Sequence, residues 1–164
     1  SFSCARHNFR QSPWAQRLFA VQSSVQEFAR QTTSVYDLIV SNPPFFPETV
    51  LSPDADRRLV RNSHALPPGE LLDAVTRLLA ENGTFCVILP VTEGRRLCER
   101  AALRRLYCTK ETAVFTRIGK PCERLLLQFE RSPYPFSRSQ LVIYERDTTY
   151  SNDFKALTAA FYLD

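Results

Sequence analysis

The sequence predicts an α/β fold whose sheet is mostly parallel and is finished by antiparallel strands. Two observations carry this. Short apolar, β-branched runs alternate with segments whose apolar residues recur at helical spacing, and the last strand-like runs then follow one another with no helix between them. The 164 residues, 44% apolar and 23% charged, fit one globular domain spanning 1–164 with a sizeable core.

Taken in order, Ala5 to Trp14 reads as the end of a helix entering a loop, because Asn8, Gln11, Ser12 and Pro13 interrupt it. Leu18 to Val21 is expected as a short apolar strand. Val25 to Ala29 is expected as a brief helix with Ser23 or Ser24 at its N-cap. Tyr36 to Ser41 is a β-rich run that must stop at Asn42-Pro43-Pro44, since two prolines cannot continue a central strand. Residues 45–69 hold prolines, aspartates and arginines without periodicity and read as a long functional loop. From Glu70, Leu71, Leu72, Val75, Leu78 and Leu79 mark one helical face, and Asn82-Gly83 is expected to end that helix. Thr84 to Pro90 is an apolar strand covered on both faces. Glu93 to Arg105 is helical, with Leu97 and Ala101 inward and Arg96, Arg100 and Arg104 on a solvent-facing stripe. Thr112–Ile118, Arg124–Phe129 and Gln140–Tyr144 are three further strands, and Asp153 to Phe161 a closing helix.

Several function classes fall away on composition. No apolar run reaches the roughly 20 residues that span a bilayer, and no charged-then-apolar leader is present, so a cytoplasmic protein is expected. The five cysteines share no C-x-x-C spacing, and His7 and His64 stand apart from them, which argues against a zinc site or a disulfide framework. Cys86, inside an apolar run, is expected to be a buried small hydrophobe. Eighteen of the twenty-one basic residues are arginine, a side chain suited to phosphate contacts and base stacking. Arg57, Arg58 and Arg61, in the loop after the two prolines, are the candidate RNA contacts; the alternative is that they pair with Asp54 and Asp56. The chain begins at Ser1, contains no methionine and opens mid-helix, so a fragment is expected.

The chemistry concentrates at Asn42-Pro43-Pro44-Phe45. In such sheets ligands sit at the carboxyl ends of the strands, where this tetrapeptide is delivered. The prolines stiffen the backbone and remove two N–H donors, leaving carbonyls, and the Asn42 side chain adds another acceptor. Acceptors without competing donors suit a substrate NH2 group. Adenine's exocyclic amine is a poor nucleophile because its lone pair is delocalised into the ring. Accepting its hydrogens at Asn42 and at the Pro43 carbonyl favours a pyramidal nitrogen able to attack a methyl sulfonium. Phe45 offers a face on which a flipped base stacks, worth about 1–3 kcal/mol. A bare Asn-Pro-Pro is otherwise a strand-ending turn; the preceding Asp37-Leu38-Ile39-Val40-Ser41 and the pair Phe45-Phe46 favour chemistry.

Asp37 through Phe45 resembles the motif of amino-group methyltransferases, whose core is Asn/Asp/Ser-Pro-Pro followed by an aromatic residue. Asn8 to Leu18 and Tyr150 to Leu163 are similar to segments of the bacterial tRNA1(Val) adenine-37-N6 methyltransferases, so the resemblance covers essentially the whole chain. It implies a Rossmann-like class I methyltransferase fold, S-adenosyl-L-methionine as cofactor and tRNA as substrate, without a metal. It implies Asn42 and Pro43 as acceptors, Pro44 as the rigid element, Phe45 as the stacking ring, and Asn42 and Ser24 on the cofactor. Ser24 stands where the family commonly has Asp, and the family's glycine-rich loop lies upstream of Ser1. The competing readings are a release-factor glutamine or ribosomal-RNA guanine-N2 methyltransferase sharing the same tetrapeptide, or a non-catalytic RNA-binding remnant.

Overall fold

The computed structural model describes residues 2–44, 66–133 and 135–161. They fall into two compact units, Ser1–Thr33 and Ser34–Asp164.

In the amino-terminal unit, helix α1 (Phe2–Gln11) runs into a turn and a single 3-10 turn at Ala15–Arg17. The expected strand at Leu18–Val21 does not form. Phe19 and Val21 are exposed and no described strand pairs with them, and a lone strand leaves its N–H and C=O groups without partners. Helix α2 (Val25–Gln31) forms as expected. Its cap is Ser24, whose Oγ accepts the Glu27 N–H at 3.2 Å.

The larger unit is built on a six-stranded sheet. In chain order its elements are β1 (Tyr36–Ser41), α3 (Pro68–Leu78), β2 (Leu79–Pro90), α4 (Val91–Ala102), β3 (Tyr107–Arg117), β4 (Cys122–Glu130), β5 (Ser137–Arg146), β6 (Thr149–Tyr150) and α5 (Asn152–Thr158). The spatial order is β1-β2-β4-β3-β5-β6. β1 and β2 are parallel, as are β3 and β5; β4 runs antiparallel to both β2 and β3, and β6 antiparallel to β5. Four strands (β1, β2, β3, β5) therefore point the same way, with antiparallel pairing towards the carboxyl terminus, as the sequence predicts.

Helix α3 opens with Pro68 in its first turn, two residues before the expected start, because proline needs no intrahelical donor there. It also ends four residues before Asn82. Leu79 already pairs with Tyr36 of β1, whereas Leu38 pairs with Thr84, so the residues around Asn82-Gly83 form an irregularity inside β2 rather than a helix cap. Arg131 closes the helix end instead, donating from Nη2 to the carbonyls of Thr76 at 2.6 Å and Leu79 at 2.9 Å.

The core lies between the sheet and helices α3 and α4. Leu71, Leu72 and Val75 of α3 and Leu97 and Ala101 of α4 pack against Phe85, Leu89, Leu125 and Phe129. Phe85 and Phe129 stack with ring centroids 5.8 Å apart. The arginine stripe on α4 is only partly solvent-facing. Arg96 and Arg100 are exposed, but Arg104 donates from Nε to the Asp73 carboxylate at 2.6 Å, joining the end of α4 to α3. The hydrogen bond from Arg104 holds the Asp73 carboxyl below its ordinary value. Cys86 is half-buried, and burial pushes its thiol up. Helix α5 is one turn shorter than expected and is capped by Ser151, whose Oγ accepts the Phe154 N–H at 3.1 Å.

Candidate active site

β1 is an edge strand of the described sheet, with β2 as its only neighbour. It ends at Ser41, opposite Val87, and hands the chain to Asn42-Pro43-Pro44 at the carboxyl end of the parallel strands. Asn42 is exposed, Pro43 is buried and Pro44 is exposed. One buried proline between two exposed residues anchors the turn and leaves Asn42 exposed to solvent. Phe45, Arg57, Arg58 and Arg61 lie outside the described residues.

Ser24 belongs to the other unit, where its oxygen already accepts a helix N–H. A hydroxyl oxygen has two lone pairs, so one acceptor position remains, along with the O–H donor. The donor-poor turn and exposed amide at Asn42 fit the reacting, amine-facing end of methyl transfer. Among the described residues no group of three or more metal-ligating side chains occurs, and no helix is long and apolar enough to cross a membrane.

The chain is similar to tRNA1(Val) (adenine(37)-N6)-methyltransferases from several bacteria. It is 38% identical over 159 residues to that of Haemophilus influenzae, covering 97% of this chain and 67% of the relative. The chain belongs to this methyltransferase family. It is also 37% identical to the Histophilus somni enzyme, over 98% of this chain and 66% of that one. The Pasteurella multocida enzyme is 38% identical over 97% of this chain and 66% of the relative. The chain thus spans about two thirds of the length of the curated family members it matches. No protein-family model matches it. Among solved structures, a predicted O-methyltransferase from Agrobacterium tumefaciens aligns with a TM-score of 0.60 at 11% identity, over 85% of this chain and 58% of that one. That likeness shows the class I methyltransferase fold.

The larger unit also contains a cavity of about 380 Å³ away from the asparagine turn. Glu81, Thr109, Lys110, Gln128, Arg131 and Ser137 line it, at the end of the sheet where β2, β3 and β5 begin, opposite the end to which β1 delivers Asn42. The buried Thr109 hydroxyl has no hydrogen-bond partner among the described residues.

Two polar arrangements escaped the sequence reading. Glu111 of β3, 2% exposed, accepts from both terminal guanidinium nitrogens of Arg95 on α4 and is ion-paired with Arg138 Nε of β5 at 3.1 Å. An acid inside a strand pattern carries no signal of its partners, which come from 16 and 27 residues away. The second is the β3–β4 turn, Arg117-Ile118-Gly119-Lys120-Pro121, whose Gly-Lys-Pro between two strand runs is a legible hairpin signal.

Proposed function

We propose that this protein methylates N6 of an adenosine in tRNA, position 37 of valine tRNA, using S-adenosyl-L-methionine, in the cytoplasm. The single observation carrying the proposal is the Asn42-Pro43-Pro44 turn at the carboxyl end of β1, with the Asn42 amide exposed and Pro43 buried. Family membership supports the substrate and the cofactor.

The Asn42 carbonyl oxygen and the Pro43 carbonyl each accept one hydrogen of the adenine amine. Holding both hydrogens out of the ring plane localises the nitrogen lone pair. Pro44 keeps the two acceptors at fixed separation, and Phe45 stacks on the extruded base. Bound S-adenosyl-L-methionine supplies an electrophilic methyl carbon on a sulfonium. On it the amine lone pair would form the N–C bond as the C–S bond breaks, and the surplus amine proton would leave to solvent. Asn42 would hold the amine and would also border the cofactor's methyl end. Ser24, which has an acceptor position to spare, is the residue that would accept from the cofactor's adenine amine. Arg57, Arg58 and Arg61 contact phosphates of the anticodon arm.

The test is incubation of the full-length protein with valine tRNA transcript and labelled cofactor, followed by nucleoside digestion. Asn42→Ala is expected to lower kcat by about 100-fold or more, the scale seen when one preorganised hydrogen bond to a reacting group is removed. Label that survives Asn42→Ala undiminished places the amine elsewhere. No N6-methyladenosine from folded wild-type protein refutes the substrate.

A further inference from the structure

The sheet topology brings a second chemistry-bearing element to the edge that carries Asn42. Because β3 is parallel to β1 and β2 in direction, the β3–β4 hairpin turns at the same carboxyl edge. Its turn is tight: the Lys120 N–H donates to the Arg117 carbonyl at 3.2 Å, and Gly119, third of the four residues, has φ 78°. A positive φ at that position is what a type II turn demands, and glycine meets it without strain. Pro121 follows, so the tip is stiff.

That stiff tip is basic and exposed. Arg117, Lys120 and Arg124 are exposed, and Ile118 is 74% exposed. Arg117 is held in place, donating to the Asp147 carbonyl at 2.7 Å and lying over the Tyr144 ring. Lys120 and Arg124 make no ion pair among the described residues. The one carboxylate between them, Glu123, is engaged by the Thr116 hydroxyl at 2.6 Å. The register fixes the separation from the site. Ser41 pairs with Val87, and Pro90 pairs with Arg124, so Arg124 stands two strands over from Asn42 and about two residues further along. With strands about 4.8 Å apart and about 3.4 Å per residue, that is about 12 Å. Lys120, at the tip, lies further out along the same line.

We infer that the β3–β4 hairpin is an RNA-backbone contact, in which Lys120 and Arg124 hold phosphates flanking the nucleotide whose base enters at Asn42, with Ile118 against sugar or base. This rests on the RNA-methylation reading of the same site. Phosphate contacts set register on the nucleic acid without reading sequence, which suits two exposed cations on a rigid turn. The hairpin belongs to this chain's folded core, independently of Arg57, Arg58 and Arg61.

The experiment measures binding of valine tRNA to the full-length protein at several salt concentrations, for wild type, the double variant Lys120→Glu/Arg124→Glu, and Arg77→Glu. Arg77 is an exposed cation near the end of α3, at the opposite edge of the sheet, and controls for overall charge. The double variant is expected to raise Kd at least tenfold and to flatten the log Kd against log salt slope by about 1.5, at roughly 0.7–0.9 per phosphate contact. Arg77→Glu should leave both near wild type. Lys120→Arg/Arg124→Lys, which keeps the charges, should restore binding. An unchanged slope in a double variant of wild-type Tm overturns the inference while wild-type methylation still stands. Equal weakening by Arg77→Glu also overturns it, because only overall charge would then matter. Wild type that neither binds nor methylates tRNA overturns the underlying reading itself.

Discussion

Replacing Gly83 by alanine should destabilise the strand pair that delivers the asparagine turn. Gly83 is buried where β2 departs from regular register with β1, and an added Cβ would meet the Tyr36 carbonyl oxygen at 2.9 Å, Leu79 Cδ1 at 2.9 Å and the Ala80 nitrogen at 3.1 Å. The leucine methyl can swing aside, but the Tyr36 oxygen is backbone of β1 and can yield only if the strand moves. Overpacking of this kind costs about 1–3 kcal/mol, and a backbone contact places Gly83→Ala in the upper half, about 2–3 kcal/mol. At roughly 4 °C per kcal/mol for a unit of this size, Tm should fall by about 8–12 °C. Gly69→Ala is the internal control. It lies in the first turns of α3, and its added methyl would meet only Arg104 Nη2, at 3.7 Å. There the substitution should be neutral or stabilising by up to about 1 kcal/mol, through reduced freedom of the unfolded chain. Thermal unfolding followed by circular dichroism on both variants reads the contrast. An unchanged Tm for Gly83→Ala, or a larger loss for Gly69→Ala, would refute the packing argument.

Two further outcomes follow from the charged groups. Arg95→Ala removes two charge-assisted hydrogen bonds and leaves the buried Glu111 with Arg138 alone, so it should cost about 2–4 kcal/mol. Glu111→Leu leaves only guanidiniums that are 47% and 59% exposed and can turn to water, so it should cost less; urea denaturation giving the reverse order would contradict this. For Asp73, the folded carboxyl sits below its unfolded value, so its contribution is present above about pH 4 and disappears as pH falls through the folded pKa. The Tm offset between wild type and Asp73→Asn should therefore be flat from about pH 5 to 8 and shrink below pH 4. An offset that grows on acidification would mean the Arg104 contact does not exist in solution.

The sequence by itself determined the elements whose local chemistry agrees with their tertiary surroundings. Tyr36–Ser41 had to be a strand and had to stop at Pro43, because proline closes both the ladder and the donor supply. Val25–Gln31 was marked by Ser24, and Leu97 and Ala101 by their spacing. The turn after β1 was legible for the same reason: Asn42-Pro43-Pro44 ends the strand by its own local chemistry. Tertiary structure decided what depends on a distant partner. Leu18–Val21 has a strand's composition but, among the described residues, no neighbour to pair with, and Asn82-Gly83 looks like a helix stop yet lies inside β2 because Leu79 is already engaged by Tyr36. Arg104 reads as one member of a solvent stripe until Asp73, 31 residues earlier, is brought against it. Only strand order puts the hairpin cations at the edge of the sheet that carries Asn42, since nothing in Lys120 or Arg124 reveals it. Local backbone preference is written residue by residue. Which side chains share a neighbourhood is set by pairing across tens of residues, and that information is not local to any of them.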